Sequence, residues 1–87
     1  MKKVNKTFLV TYTGTTETRF QGLREIIDAK SEREAVERIF HKHNDGNYFP
    51  DGNGWIYDCD RNVLAGPGDR SIDWGNGAFV AELIFQD

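Results

Sequence analysis

The chain has 87 residues, of which 38% are hydrophobic and 13% are aromatic, and it contains a single cysteine. This length predicts one domain, residues 1–87, that buries about 60% of its unfolded surface. A single cysteine excludes an internal disulfide framework, and no apolar run approaches the roughly 20 residues that cross a membrane. Because the N-terminus also lacks the apolar region of a signal peptide, we expect a cytoplasmic protein with no membrane partner.

Charge is distributed unevenly along the chain. Residues 1–44 hold nine Lys or Arg and six Asp or Glu, a net charge of +3, whereas residues 45–87 hold two and eight, a net charge of −6. Such an acidic half repels nucleic acid and favours a partner with a basic surface. The alternative is a solvated acidic face that only aids solubility.

Alternating apolar residues predict two strands at the start of the chain. Over residues 6–13, Phe8, Val10 and Tyr12 fall on one face of an extended segment. A second strand is predicted over residues 20–29, and the short link between the two indicates an antiparallel hairpin.

Ser31 and Glu34 have the spacing of a helix capping box. The Ser31 hydroxyl is expected to accept from the amide of Glu34, while Glu34 reaches back to the amide of Ser31. An ion pair between Glu34 and Arg38 is expected because they lie four residues apart. The predicted helix ends at residues 44–46, and its apolar stripe consists of Ala35, Val36, Ile39 and Phe40.

The remaining residues predict three more strands and two long loops. The strands are expected at 55–59, 63–65 and 78–85, and the last is apolar on both faces, which indicates a central position. Residues 47–54 and 66–77 are rich in Gly, Asn and Asp and are predicted to be irregular. The order β-β-α-β-β-β predicts a two-layer α+β fold, with one amphipathic helix on a mainly antiparallel sheet of four to five strands. The second face of that sheet stays open for contact.

No motif in the chain specifies a metal or cofactor site. Residues 51–56 copy the middle of an EF-hand loop, but Phe49 occupies the position of the first acidic ligand. His41 and His43 lie about 200° apart on a helix and therefore cannot face one ion. We expect neither a metal nor a cofactor.

Aromatic side chains lie in or beside the Gly-rich loops, among carboxylates. Aromatic residues dominate the energy of many interfaces, and acidic neighbours speed association with a basic partner. Trp74, between Asp73 and Gly75, is expected to be the more exposed tryptophan. The alternative is that Trp55 and Trp74 close the ends of a small core. The predicted partner-binding residues are Asp45, Tyr48, Phe49, Asp51, Trp55, Asp69, Asp73 and Trp74.

Three other functions are compatible with the sequence. A small enzyme or ligand-binding domain would use the open sheet face with Tyr57, Asp58 and Cys59, although Cys59 is predicted to be a buried, inert thiol within a strand. A homodimer would pair through edge strands. Direct nucleic-acid binding is disfavoured by the net charge of −3, and it would use the basic residues of the N-terminal hairpin, Lys2, Lys3, Lys6, Arg19 and Arg24.

In length, acidity and the segment 27–35 (IDAKSEREA), the chain resembles small acidic proteins of bacteriophages and prophages. That group includes anti-CRISPR and other anti-defence inhibitors, which commonly occupy the basic nucleic-acid-binding surface of a host nuclease. The resemblance implies a non-enzymatic inhibitor of a bacterial defence complex, acting in the cytoplasm of the host cell. It assigns a role to no particular residue.

Overall fold

The protein is described by a computed structural model over residues 6–44 and 47–86. Its helices and strands follow one another as β1 (Lys6–Tyr12), a short 3-10 helix (Thr18–Phe20), β2 (Arg24–Ala29), α1 (Glu32–Asn44), β3 (Phe49–Pro50), β4 (Ile56–Tyr57), β5 (Val63–Ala65), β6 (Ile72–Trp74) and β7 (Gly77–Gln86).

The strands form two antiparallel sheets, the larger in the order β2-β1-β7-β6 and the smaller in the order β3-β4-β5. The predicted α+β class is confirmed, and so is the antiparallel hairpin of β1 and β2. The prediction of a single sheet is wrong, because the strands that follow α1 are divided between two sheets.

Helix α1 packs on one face of the larger sheet, where it contacts β1, β2, β6 and β7. The predicted stripe of Ala35, Val36, Ile39 and Phe40 is buried. It meets the predicted inner face of β1, whose apolar residues Phe8, Val10 and Tyr12 are also buried. The described residues contain no helix with the length and apolar character of a membrane span.

The start of α1 follows the predicted capping scheme with one change. The Glu34 N–H donates to the Ser31 hydroxyl at 3.1 Å, but the Glu34 carboxylate accepts from the N–H of Lys30, at 2.7 Å, rather than from that of Ser31. Arg38 donates to the carbonyl oxygen of Asp28 at 2.9 Å. An i,i+4 ion pair is present on this helix, but it joins Arg33 to Glu37 and not the predicted Glu34 to Arg38.

The second strand begins later than predicted. Phe20 lies in the 3-10 helix, Gly22 has a φ of 74°, and β2 starts only at Arg24. The ring of Phe20 packs on Tyr12 and Phe79, at centroid distances of 5.5 and 5.1 Å. Phe20 is therefore buried although it is not in a strand, and the sequence pattern alone does not distinguish a buried turn residue from a buried strand residue.

Both segments predicted to be irregular contain a short strand, which corrects the sequence-based prediction. Residues 49–50 form β3 and residues 72–74 form β6. Elements of two or three residues are too short to show a period. β6 pairs with β7 only over Gly77–Phe79, so the central position predicted for the last strand holds only at its start. A Cβ at Gly77 would overlap the backbone of Gly14, which explains the glycine there.

Candidate functional site

The smaller sheet turns aromatic side chains outward. Phe49 lies opposite Tyr57 on the neighbouring strand, and Tyr57 lies opposite Val63, so the three share one face. The indole of Trp55 stacks on the ring of Tyr57 with centroids 6.5 Å apart. Phe49 is 54% exposed, Val63 51% and Trp55 40%. We call Phe49, Trp55, Tyr57 and Val63 the aromatic face.

The opposite face of this sheet is part of the protein core. Ile56, Leu64 and Ala65 are buried, in one cluster with Phe40 of the helix and Ile72 of β6. Ile56 alternates with Trp55 and Tyr57 along the chain, so it points inward and they point outward. In β5 a register shift opposite Ile56 and Tyr57 leaves Leu64 and Ala65 both buried and Val63 outward. The aromatic face is thus carried by strands that the core holds in place.

The turn between β3 and β4 is organised by Asp51. Its carboxylate oxygen Oδ1 accepts from the N–H groups of Asn53, at 2.7 Å, and Trp55, at 3.2 Å. The N–H of Asp51 donates to the carbonyl oxygen of Trp55 at 3.0 Å. The Asp, Asn and Gly residues that imitate a calcium loop therefore serve a side-chain-stabilised turn.

Asp58 organises the turn between β4 and β5 in the same way. Its Oδ1 accepts from the N–H groups of Asp60, at 2.9 Å, and Asn62, at 2.8 Å, and its own N–H donates to the carbonyl oxygen of Asn62 at 3.0 Å. Backbone donation from Asn62, then its side-chain amide and the N–H of Asp60, lower the pKa of Asp58 below its ordinary 3.8. Arg61, with a φ of 66°, occupies the left-handed position that Gly54 holds in the first turn.

Arg33 of the helix joins the first turn to the loop after β5. Its guanidinium donates to the carbonyl oxygens of Gly54, Gly66 and Asp69 at 2.8, 2.9 and 2.8 Å. The Nε atom lies 3.6 Å from a carboxylate oxygen of Glu37, too far for a hydrogen bond. This clamp was missed in the sequence, where an arginine between two glutamates on a helix reads as a solvent-facing residue.

The clamp also sets the position of the Trp55 indole. A Cβ at Gly66 would lie 3.1 Å from the indole ring, so the ring rests on a backbone that has no side chain. Asp69 closes the turn that begins at Gly66, because its carboxylate accepts from the Gly66 N–H at 2.7 Å. Asp69 therefore lies in a turn that is bound to the same guanidinium as the turn of Asp51.

The structure divides the predicted partner-binding residues into two groups. Phe49, Asp51 and Trp55 lie on or beside the aromatic face. The other group lies away from this face. Tyr48 and Trp74 pack on the ring of Phe40, at centroid distances of 4.8 and 5.5 Å. Asp73 is exposed on β6, and Asp69 closes its own turn. Asp45 lies outside the described residues.

The predicted ranking of the two tryptophans is wrong. Trp55 is 40% exposed, whereas Trp74 is half-buried against the helix. The loop predicted around Trp74 is in fact the short strand β6, which places the indole on the helix side of the larger sheet. The sequence-based prediction assigned Tyr57 to the alternative ligand-binding site rather than to the partner-binding residues, and it assigned Val63 to neither.

A shallow cleft of about 670 Å³ lies beside the aromatic face. Cys59 is exposed at this cleft, so the prediction of a buried thiol is wrong. The reason is that β4 ends at Tyr57, which leaves Cys59 in the turn of Asp58. The cleft is lined by Phe49, Pro50, Asp51, Tyr57, Asp58, Cys59 and Arg61.

The two histidines bind different neighbours. A ring nitrogen of His41 is hydrogen-bonded to the Tyr48 hydroxyl, and one of His43 is hydrogen-bonded to the Glu25 carboxylate. Over residues 6–44 and 47–86, no three His, Cys, Asp or Glu side chains are grouped as metal ligands would be.

The basic hairpin is partly engaged in internal contacts. Arg19 donates to Glu17 and Asn44, and its guanidinium carbon lies 4.5 Å from the centroid of the Phe20 ring. Arg24 is exposed on β2. Lys2 and Lys3 lie outside the described residues.

Comparison with known proteins identifies no relative of this chain. No protein-family model, no curated protein and no solved structure matches it.

Proposed function

We propose that this protein is a non-enzymatic binding module whose aromatic face docks on a basic surface of another protein. The exposure of Phe49, Trp55 and Val63 on one side of the smaller sheet carries the proposal. Contiguous apolar side chains that face solvent are typical of interaction surfaces. Trp and Tyr in particular are enriched among the residues that contribute most to binding energy.

The charges around the aromatic face favour a basic partner. Asp51, Asp58 and Asp60 lie in the two turns that flank it. The lowered pKa of Asp58 means that its carboxylate stays ionised in more acidic solution than an ordinary aspartate does. Residues 45–87 contain two basic residues. Arg70 lies 3.8 Å from Glu32. Arg61 lies in the turn of Asp58, where the carboxylates of Asp58 and Asp60 outnumber it. A surface of this kind steers a cationic partner and raises the rate of association.

The rigidity of the two turns supports a preformed interface. Asp51 and Asp58 hold their turns through side-chain acceptors, and Arg33 ties the first turn to the next loop. Little conformational freedom is then lost when the partner binds, which lowers the cost of association.

Proteins that bind nucleic acid have the kind of basic surface that this face requires, because they contact phosphates through Lys and Arg. The phage-type resemblance makes a bacterial defence nuclease the first partner to test. In that case the aromatic face would occupy the cationic surface, and the carboxylates of its turns would take the place of phosphates. The protein would then compete with nucleic acid rather than bind it.

A pull-down from bacterial lysate tests this proposal. The wild-type chain, the double variant Phe49→Ala/Trp55→Ala and the control Ile26→Ala are immobilised in parallel. Ile26 is 68% exposed on the larger sheet, so the control removes a comparable apolar side chain elsewhere. We expect a basic protein that wild type and control retain and the double variant loses. The purified partner should then bind more weakly as salt rises.

Two results contradict the proposal. One is equal recovery of the partner by all three forms, which would place the interface elsewhere. The other is a partner whose affinity is independent of salt, which would remove the role of the acidic turns. For a nucleic-acid-binding partner, displacement of a labelled oligonucleotide by the wild-type chain tests the competition directly.

The cleft favours a second candidate, the binding of a small ligand. The rings of Phe49 and Tyr57 and the charged groups of Asp58 and Arg61 meet there, as apolar and polar groups meet in ligand sites. A ligand of this cleft would raise the melting temperature of the wild-type chain. The same ligand would raise the melting temperature of Arg61→Ala by less. Arg61 is the informative position because the aromatic side chains belong to both the cleft and the proposed protein interface.

A further inference from the structure

We propose that the outer edge of β7 pairs with the same edge of a second copy of the chain. β6 covers β7 only over Gly77–Phe79. Beyond that point β7 runs on to Gln86 with β1 on its other side, and no strand of the described residues pairs with its outer edge. We call Val80–Gln86 the open edge. Its backbone N–H and C=O groups on that side form a template for another strand.

Three consecutive solvent-facing side chains of the open edge are apolar, between the exposed Glu82 and Gln86. Leu83 is 45% exposed, Ile84 47% and Phe85 62%. Leu83 lies opposite Phe8 on the helix side of the sheet, while Phe85 lies opposite Thr7 on the other side. A strand added at this edge would therefore cover apolar surface on both faces as well as satisfy the backbone.

Other sheet edges carry the features that discourage pairing. The outer strand β2 exposes the charged residues Arg24 and Asp28, and β3 contains Pro50. β5 and β6 have only three residues each. The open edge has neither proline nor lysine, and its one charged residue is Glu82. It carries one feature of this kind, a bulge at Ile84, where the register with β1 shifts between Leu83 and Phe85.

The chemistry of the open edge fits a second copy. An antiparallel pair related by a two-fold axis uses the same strand from each chain, so the two apolar strips match each other. A chain with a net charge of −3 repels its copy elsewhere, but the open edge holds only one carboxylate. Like charges directly opposite are destabilising, so the axis lies toward Leu83–Phe85, where Glu82 does not meet Glu82 of the other chain. The two larger sheets then join into one continuous sheet.

Sedimentation equilibrium of the full chain over a concentration series tests the proposal. The expected mass rises from 10.0 kDa toward twice that value. Phe85→Lys and Ile84→Lys should each raise the dissociation constant by about 30-fold or more, the loss typical of a central interface residue. Ile26→Lys, at a position of the edge strand β2 that is more exposed than either, should leave the dissociation constant unchanged.

Cross-linking provides a second test, which does not require a charged residue to be introduced into β7. In a Cys59→Ser background, Ile84→Cys treated with diamide should yield a covalent dimer, whereas Ile26→Cys should not. A mass of one chain at every concentration overturns the proposal. So does a dimer that survives both lysine variants at the open edge, or one that is lost equally with Ile26→Lys. The aromatic face lies on the other sheet, so these outcomes are independent of the proposed function.

Discussion

The indole of Trp55 and the phenol ring of Tyr57 lie nearly parallel, at an interplanar angle of 18°. The two residues are separated by Ile56, which points into the core. This arrangement places a stacked pair of rings at the protein surface, on a base that packing holds fixed. It is the centre of the surface that we propose to bind a basic partner.

The two tryptophans should respond differently to a quencher in solution. In Trp74→Phe the fluorescence reports Trp55, and in Trp55→Phe it reports Trp74. We expect acrylamide to quench Trp55 more strongly, because its indole is 40% exposed while that of Trp74 packs on Phe40. Trp55→Phe should cost less than about 0.5 kcal/mol of unfolding free energy, and Trp74→Phe about 1 kcal/mol. Equal quenching would contradict the placement of the two rings.

Arg33→Met should destabilise the protein by about 2–4 kcal/mol, since three carbonyl oxygens lose a charged donor. Arg33→Lys should recover little, because one ammonium group lacks the planar fork that reaches three separate acceptors. The control is Arg38→Met, which removes one exposed bond to the Asp28 carbonyl and should cost less than about 1 kcal/mol. Urea unfolding measures all three, and a similar loss at both positions would argue against the clamp.

Glu25 should make folding stability fall in acid. Hydrogen bonds from Lys42 and then His43 lower the pKa of Glu25 below its ordinary 4.5. The unfolded chain therefore takes up a proton before the folded one, so this stabilisation is present above about pH 4.5 and is lost as pH falls. Glu25→Gln should cost up to about 1 kcal/mol at neutral pH, because the side chain is partly exposed, and the difference should vanish in strong acid.

The measurement is urea unfolding of wild type and Glu25→Gln from neutral pH to about pH 3. Asp60→Asn serves as the control, since Asp60 is an exposed carboxyl in the turn after β4. A constant difference between wild type and Glu25→Gln across the whole range would show that Glu25 does not act through its charge.

The elements that could be predicted are those whose local pattern is long enough to read. Helix α1 was located from Ser31 and its apolar stripe, and β1 was located from the alternation of Phe8, Val10 and Tyr12. Both patterns repeat several times within one element, so neighbouring residues confirm each other. By contrast, β3 and β4 have two residues each, and their pairing depends on contacts between separate segments.

Part of the candidate site could also be predicted from residues that are close together in the sequence. Phe49, Asp51 and Trp55 were identified because aromatic and acidic residues share one Gly-rich segment. That Phe49 and Trp55 share a face with Val63 could not be predicted, since it arises from the registers of β3 with β4 and of β4 with β5. The role of Arg33 was equally hidden, because its acceptors are backbone carbonyls that any residue type carries.

The sequence alone determined the α+β class, the single long helix with its cap and buried stripe, and the excess of negative charge in the second half. These properties depend on local spacing and on composition, which are read directly from the order of residues. Only the tertiary structure decided that a second sheet forms, that Trp55 rather than Trp74 faces solvent, and that β7 keeps an open edge. Each of these depends on which distant segments pair, and backbone hydrogen bonding between strands is almost independent of side-chain identity.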